Sequence, residues 1–212
     1  MILYTIDGLG GYIDISDIKE VKGAHIYVNM TNKCPCSCTF CLRQTKKMLE
    51  NNTLWLKEEP TVEEVIHLLN QYHFELFEEI IFCGFGEPTE RIHDIKKITS
   101  YIKAQAPNVL LRINTNGLGN DLYNEDITPL LDDFDVISIS LNAPNKEEYY
   151  ELTRSKFGIR SFDDLLGFAK LCKKYAKVVL TVVDIIGVDK IQQCQTICDN
   201  LGVTLRVRPF EE

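Results

Sequence analysis

Four of the eight cysteines of the chain lie within one eight-residue stretch, CPCSCTFC, which begins at Cys34 and ends at Cys41. Three of them, Cys34, Cys38 and Cys41, have the spacing C-x3-C-x2-C. Cysteine thiolates are the usual protein ligands of iron–sulfur clusters. Thiolates this close in sequence are able to surround one face of a cubane cluster, and three ligands leave the fourth iron open. The spacing therefore predicts a [4Fe–4S] cluster that takes part in chemistry.

A structural zinc site that uses all four of these cysteines is the alternative. Zinc sites of this kind usually combine one C-x2-C pair with a second pair or with histidines further along the chain. The sequence contains no second pair of that spacing, and its four histidines, at positions 25, 67, 73 and 93, lack ligand spacing. The pattern favours the iron–sulfur cluster.

The composition narrows the class of protein. The 212 residues include 23 basic and 31 acidic side chains, a net charge of −8, which disfavours a nucleic-acid partner. No apolar run approaches the roughly 20 residues that span a bilayer, and no signal peptide opens the chain. We expect a cytoplasmic protein without membrane association, and thiols stay reduced in the cytoplasm.

The four cysteines outside the stretch are interpreted as buried core residues. They are Cys83, Cys172, Cys194 and Cys198.

Alternating strands and helices must position the cysteine stretch. β-Branched and apolar runs predict strands over residues 24–31, 79–83, 109–114, 135–141, 177–184 and 203–207. Apolar residues at helical spacing predict helices over residues 61–72, 92–104, 125–132, 162–172 and 191–201, with another near residue 147. Such alternation implies parallel strands joined by right-handed crossovers. A full eight-fold barrel takes about 250 residues, so we predict a partial (β/α)6 TIM-type barrel: one domain over residues 24–212 after an N-terminal extension of residues 1–23.

The cysteine stretch resembles the signature of the radical S-adenosylmethionine (SAM) superfamily, which is C-x3-C-x2-C with an aromatic residue before the last cysteine. Phe40 fills the aromatic position, and Cys36 is an additional cysteine inside the motif. The stretch also follows the first predicted strand of the parallel sheet, at the end where α/β folds place their active sites. The resemblance implies that Cys34, Cys38 and Cys41 hold the cluster and that SAM binds beside it.

The second of these strands ends in Gly84-Phe85-Gly86-Glu87-Pro88. This segment is similar to the Gly-Gly-Glu-Pro motif of the superfamily, with Phe85 in place of the first glycine. Backbone at glycines can approach a ligand closely, and the resemblance implies that the stretch from Gly84 to Glu87 binds the amino group of SAM. Taken alone, the segment is also typical of a turn that enters a helix.

Polar residues mark the next two strand ends, at Asn114 and Asn116 and at Ser138, Ser140 and Asn142. Parallel strands usually read as unbroken apolar runs, so these side chains need partners. In the superfamily, equivalent positions contact the ribose and methionine parts of SAM, which implies this role for Asn116, Ser140 and Asn142. Hydrogen bonding between neighbouring strands is the alternative for Asn114 and Ser138.

Two arginines occupy alternate positions of the last predicted strand. Period two places Arg206 and Arg208 on the same face. Arginine binds carboxylate and phosphate groups through two parallel hydrogen bonds, so we predict that Arg208, nearer the end of the strand, contacts the cofactor or the substrate. An internal salt bridge to Asp184, Glu87 or the terminal glutamates is the alternative.

Over nearly its whole length the sequence also resembles the small TatD-associated radical SAM proteins. The similar blocks include RINTNG at residues 112–117, SISLNAP at residues 138–144 and RVRP at residues 206–209. The resemblance implies an oxygen-sensitive enzyme that cleaves SAM reductively to methionine and a 5′-deoxyadenosyl radical, which abstracts hydrogen from a small-molecule or peptide substrate. It implies flavodoxin or ferredoxin as the electron donor and a TatD-type hydrolase as a linked protein. A glycyl-radical activase and a non-enzymatic iron–sulfur or zinc electron-transfer module remain the alternatives.

Overall fold

The fold is an open, mostly parallel sheet with helices on one side. The computed structural model describes residues 1–18, 20–45 and 53–210, and within them eight strands form one sheet in the order β2-β1-β3-β4-β5-β6-β7-β8. The strands β3 to β8 run parallel, while β1 pairs antiparallel with both β2 and β3. The strands are β1 Leu3–Ile6, β2 Tyr12–Asp14, β3 Ala24–Val28, β4 Phe77–Phe82, β5 Leu110–Thr115, β6 Val136–Ser140, β7 Lys177–Val183 and β8 Thr204–Arg208.

Helices connect the parallel strands and confirm the predicted partial (β/α)6 barrel. The helix that follows residue 61 begins with a capping box, since the Thr61 side chain accepts from Glu64 N and the Glu64 side chain accepts from Thr61 N. Gly202 ends the last helix in the left-handed conformation, φ 63°. The helices are α1 Leu42–Thr45, α2 Val62–Leu69, α3 Ile92–Gln105, α4 Gly119–Tyr123, α5 Lys146–Thr153, α6 Ser161–Cys172 and α7 Val188–Leu201.

The two faces of the sheet differ in chemistry. Ile80 of β4 and Leu111 of β5 are paired across the two strands, and both side chains are fully buried beneath the helices. Residues one position along point to the opposite face, as strand geometry requires. On that face, Tyr27 of β3 is paired with Ile81 of β4, and Ile81 is paired with Arg112 of β5. The core is therefore on the helix side, and we call the other side, which carries the polar strand residues, the inner face.

The first residues of the chain add a hairpin that the sequence analysis did not predict. Asp7 stabilises its turn, because its Oδ1 accepts from Leu9 N at 2.8 Å and from Gly11 N at 2.7 Å. Tyr4 and Tyr12 from the hairpin are buried with Leu54 and Phe85 in a second apolar cluster. The segment predicted as an extension thus covers the edge of the parallel sheet at β3.

One predicted helix is wrong. Residues 125–132 do not form an α-helix but contain a 3-10 turn, Thr128–Leu131, and α4 lies before it. Asp126 Oδ1 accepts from both Thr128 N and Thr128 Oγ1, and this local capping favours a short turn over a continuous helix.

The prediction of buried core cysteines is confirmed for three of the four. Cys172, Cys194 and Cys198 are fully buried in the core, whereas Cys83 at the end of β4 is only partly buried. Among the residues that the structure describes, no helix is long and apolar enough to cross a membrane.

Candidate functional site

The cysteine loop, residues 34–41, follows β3 and is held by the end of α5. Ser37 N donates to Thr153 O and Thr39 N donates to Leu152 O, both at 2.9 Å. The last carbonyls of a helix have no partner within the helix, so these bonds satisfy both the loop and the end of α5. The loop is thereby fixed over the carboxyl end of the sheet, where the sequence analysis predicts it.

A buried network fixes the segment that leads into the loop. Thr31 Oγ1 donates to Glu59 Oε1, and Asn32 N donates to the same oxygen at 3.3 Å. Arg91 Nη1 lies 3.3 Å from Glu59 Oε2 and so balances the charge of this carboxylate. The approach to Cys34 therefore has a defined course between β3 and the start of α3.

Three of the four thiols of the loop lie together. Cys36, which is 6% exposed, shares side-chain hydrogen bonds with Cys34 and Cys38. These hydrogen bonds lower the pKa of Cys34 and Cys38 and raise the pKa of Cys36. Cys34 and Cys38, the two predicted ligands in this group, therefore ionise more easily than Cys36. The ionised thiolate is the form that binds iron.

The predicted third ligand, Cys41, lies where the loop meets α1. Its backbone N–H donates to Cys38 O at 3.2 Å. Across the described ranges 1–18, 20–45 and 53–210, no three histidine, cysteine, aspartate or glutamate side chains are grouped as they would be around one metal ion. The contacts of Cys36 with Cys34 and Cys38 therefore do not form a three-ligand group in the described residues, and the assignment of Cys34, Cys38 and Cys41 as cluster ligands stays a prediction.

Glycines allow the end of β4 to lie directly against the cysteine loop. A Cβ on Gly86 would be 2.3 Å from Thr31 O and 2.7 Å from Lys33 O, and a Cβ on Gly84 would be 2.0 Å from Asn29 Oδ1. Glu87 N also donates to Lys33 O at 2.7 Å. Both predicted glycines are thus required by close approach, Gly86 to backbone oxygens and Gly84 to the Asn29 side chain.

The carboxylate of Glu87 is the centre of the site. Its Oε1 accepts from Thr89 N (3.1 Å), Thr89 Oγ1 (2.7 Å) and Thr115 Oγ1 (2.6 Å), and its Oε2 accepts from Asn116 N at 2.7 Å. The residue is 4% exposed. Burial raises the pKa of this carboxyl, and the four hydrogen bonds offset part of that effect. Glu87 therefore joins the end of β4 to the end of β5.

The predicted polar residues lie at the carboxyl ends of β5 and β6. We call this end of the open sheet, over which the cysteine loop lies, the opening. Asn116 Nδ2 lies 3.8 Å from Cys36 Sγ, which connects the end of β5 to the cysteine loop. Asn142 is 4% exposed and adopts a left-handed backbone, φ 57°, directly after β6. Among the described residues, the Oδ1 atoms of Asn114 and Asn142 are buried without a hydrogen-bond partner. Ser140 is half-buried on the inner face between them.

Three predicted residues lie further from this network. Phe40 is half-buried within the loop. The Phe85 side chain packs against Trp55, with ring centroids 5.3 Å apart, so any contact it makes with a cofactor at the cysteine loop would come from its backbone. Arg208 lies at the end of β8, opposite Val183. Among the described residues, Arg208 forms no salt bridge with Asp184 or Glu87. The terminal glutamates at positions 211 and 212 lie outside the described residues.

The sequence analysis missed Arg43. Its Nη1 donates to Asn32 O at 3.2 Å and its Nη2 to Cys36 O at 3.5 Å, and its guanidinium lies 5.6 Å from the ring centre of Trp55. Its positive charge contributes to lowering the pKa of Cys34 and Cys38. A basic residue two positions after the last cysteine of the motif was the available signal.

Comparison with known families decides the class of the protein. The model of the radical SAM superfamily matches residues 28–196, a range that runs from the end of β3 into α7 and includes the cysteine loop. The chain belongs to the radical SAM superfamily. No curated protein matches it.

Solved structures with a similar fold include radical SAM proteins of low sequence identity. A structure of TYW1 with a bound lysine–pyruvate adduct has a TM-score of 0.62 and 13% identity, over 89% of this chain and 65% of that one. A structure of anSMEcpe with bound AdoMet has a TM-score of 0.62 and 18% identity, over 88% and 49%. The same enzyme with AdoMet and the Cp18Cys peptide has a TM-score of 0.59 and 18% identity, over 87% and 50%. The chain spans half to two-thirds of their lengths, and the likeness shows the fold.

The residues of this superfamily member fit the cofactors of its family. Four thiols lie within eight residues, and two of them have a lowered pKa, which suits iron ligands. The buried Oδ1 of Asn142 supplies an unpartnered polar atom after β6, and Gly84 and Gly86 supply closely packed backbone at the end of β4. An iron–sulfur cluster with SAM beside it is compatible with this donor set.

We predict that Gly86→Ala destabilises the protein and impairs cluster assembly. The added Cβ would contact backbone oxygens that cannot move independently of the cysteine loop, which should cost about 1–3 kcal/mol. Urea unfolding and the iron and sulfide content after anaerobic reconstitution measure both effects. Gly167→Ala is the control, since no atom lies within 4 Å of that Cβ and alanine favours the helix by about 1 kcal/mol. Equal stability of Gly86→Ala and wild type would contradict the close approach.

We also predict that Glu87→Gln is destabilising by about 1–3 kcal/mol. Glutamine replaces one carboxylate oxygen by an NH₂ group, which does not accept hydrogen bonds. At least one of the four donors around this side chain therefore loses its acceptor. Glu125→Gln is the matched control because Glu125 is exposed. If both variants unfold at the wild-type urea concentration, Glu87 does not hold the strand ends together.

Proposed function

We propose that the protein is a radical SAM enzyme that binds one [4Fe–4S] cluster through Cys34, Cys38 and Cys41 and binds SAM beside it. When bound, the reduced cluster would supply the electron that cleaves SAM to methionine and a 5′-deoxyadenosyl radical, which abstracts hydrogen from the substrate. The substrate is proposed to be a small molecule or a peptide.

The observation that carries this proposal is the connection of three strand ends into one opening. The cysteine loop, the Gly84–Glu87 segment and Asn116 are linked through Glu87 and Cys36. In a chain of this superfamily, that arrangement supports a cofactor site rather than an isolated cluster that only carries electrons. Two solved structures of similar fold hold AdoMet, which agrees with the proposal.

Each group at the opening has a proposed role. The Gly84–Gly86 backbone would bind the amino group of SAM. Glu87 would hold this backbone in place rather than act as a base, because both of its oxygens accept hydrogen bonds from the protein. Asn116, Ser140 and Asn142 would orient the ribose and methionine parts. The second apolar cluster, with Tyr4, Tyr12 and Phe85, would help exclude water from one side.

Finer assignments are also proposals. The sequence blocks described above favour the small TatD-associated group of the superfamily and a TatD-type hydrolase as a functionally linked protein. Flavodoxin or ferredoxin is the proposed electron donor. A glycyl-radical activase would have the same cofactors and differ in acting on a partner protein.

Replacement of single cysteines tests the ligand assignment. We expect Cys34→Ala, Cys38→Ala and Cys41→Ala to lose the cluster, since each removes one of three ligands. Cys36→Ala serves as the matched control from the same loop and should retain it. Iron and sulfide analysis with electron paramagnetic resonance of the reduced protein measures the outcome. Loss of the cluster in Cys36→Ala with retention in Cys41→Ala would replace the proposed set by Cys34, Cys36 and Cys38.

Cleavage of SAM tests the activity. The reconstituted protein with a strong reductant should release 5′-deoxyadenosine slowly even without substrate, and Cys38→Ala should release none. Chromatography of anaerobic reaction mixtures detects the product. A protein that holds a reducible cluster and produces no 5′-deoxyadenosine is an electron-transfer module instead.

A further inference from the structure

Three arginines lie on the inner face of the sheet, away from the helices. Arg112 shares a register row with Ile81 and Tyr27. Asn114, two residues further along β5, pairs with Ser138. Ser140 then pairs with Thr181, and Thr181 pairs with Arg206. Since side chains two apart in a strand share a face, Arg112, Arg206 and Arg208 all belong to the inner face.

The positive charge of this cluster is only partly balanced. Glu79 forms an ion pair with Arg112, and Glu79 Oε2 also lies 3.4 Å from His25 Nδ1. Within the described part of the chain, neither Arg206 nor Arg208 has an ion-pair partner. Arg208 Nε is in addition buried without a hydrogen-bond partner there. A buried guanidinium donor without an acceptor is unfavourable, so Arg208 is prepared for a ligand that accepts hydrogen bonds. Arg206 is more exposed and therefore accessible to the same ligand.

The curvature of the sheet brings the cluster together across the open barrel. Partial burial lowers the pKa of Arg206, and the positive charges of Arg112 and Arg208 lower it further, while Tyr27 and Glu79 act in the opposite direction. Tyr27 and Glu79 belong to β3 and β4, at the far end of the parallel strands from β8. Arg206 therefore faces a space that is shared by both ends of the parallel sheet.

We propose that Arg206 and Arg208 bind an anionic group of the substrate, a carboxylate or a phosphate. Their Cα atoms are about 7 Å apart along the strand, a spacing from which two guanidinium groups can converge on one anion. Arg208, at the end of β8, lies on the side of the cysteine loop, and Arg206 lies two residues deeper. The substrate would thus enter over the strand ends and place its anionic group down the inner face. This assignment rests on the proposed function.

Anion binding by the full chain tests the proposal. The probes are inorganic phosphate and succinate, titrated by calorimetry into the anaerobically reconstituted protein at low ionic strength, with and without SAM. We expect saturable binding of at least one probe, and at least tenfold weaker binding by Arg206→Gln and by Arg208→Gln. Lys97→Gln is the charge-matched control, since Lys97 is 66% exposed on α3, on the helix side. Circular dichroism verifies that each variant is folded.

The two anions separate the possible substrate groups. Binding of phosphate alone indicates a phosphorylated substrate, binding of succinate alone indicates a carboxylic acid, and binding of both supports the shared chemistry. Arg206→Lys and Arg208→Lys retain the charge and lose the planar fork, so they should bind more weakly than wild type and more tightly than the glutamine variants. Absence of saturable binding, or equal binding by the glutamine variants, overturns the proposal.

The cofactor itself is a competing source of a carboxylate. If SAM displaces the probe anion and both glutamine variants lose tenfold or more in SAM affinity, the arginines bind the methionine carboxylate and the substrate assignment is wrong. If the probe binds equally well with SAM present, the anion site is separate. Production of 5′-deoxyadenosine is measured in parallel. If no 5′-deoxyadenosine forms but the anion binds as expected, the proposed function is wrong and the anion site stands. If 5′-deoxyadenosine forms but the glutamine variants bind the anion as tightly as wild type, the anion site is wrong and the proposed function stands.

Discussion

The buried carboxylate of Glu87 is the interaction on which the rest of the site depends. It accepts four hydrogen bonds from the turn after β4 and from the end of β5, and its backbone N–H donates to the segment before Cys34. A carboxylate taken out of water is costly unless its oxygens are satisfied. Because two of these donors lie in the turn after β4 and two at the end of β5, satisfying this one carboxylate sets the relative positions of three segments of the candidate site.

Close backbone approach is the second constraint, and it acts together with the first. Gly86 lies where a Cβ would contact Thr31 O and Lys33 O. The cysteine loop is held from the other side by the carbonyls at the end of α5. The loop is therefore fixed on two sides by backbone hydrogen bonds before any metal is bound. A preorganised loop of this kind reduces the conformational entropy that ligand binding must overcome.

The sheet has two chemically different faces, one apolar and packed under the helices, the other carrying charged and polar side chains. The helix-facing residues of β3 to β7 are buried and apolar, so they supply the hydrophobic free energy of the fold. The inner face carries Tyr27, Glu79, Arg112, Arg206 and Arg208, along with the asparagines at the strand ends. A chain that is acidic overall thus places a locally basic surface inside its open barrel. Such a surface attracts anions to the interior while the exterior repels them.

The sequence by itself determined the α/β architecture, because strand and helix periodicities are local properties that apolar spacing records directly. It also identified the cysteine loop and the Gly84–Glu87 segment, whose chemistry is contained in short contiguous stretches. Only the tertiary structure decided that Glu87 joins β4 to β5, that Phe85 packs into an aromatic cluster built by the N-terminal hairpin, and that Arg43 lies over the cysteine loop. These facts depend on contacts between residues far apart in the chain. Such contacts are fixed by the curvature and register of the sheet, and single-strand patterns do not contain that information.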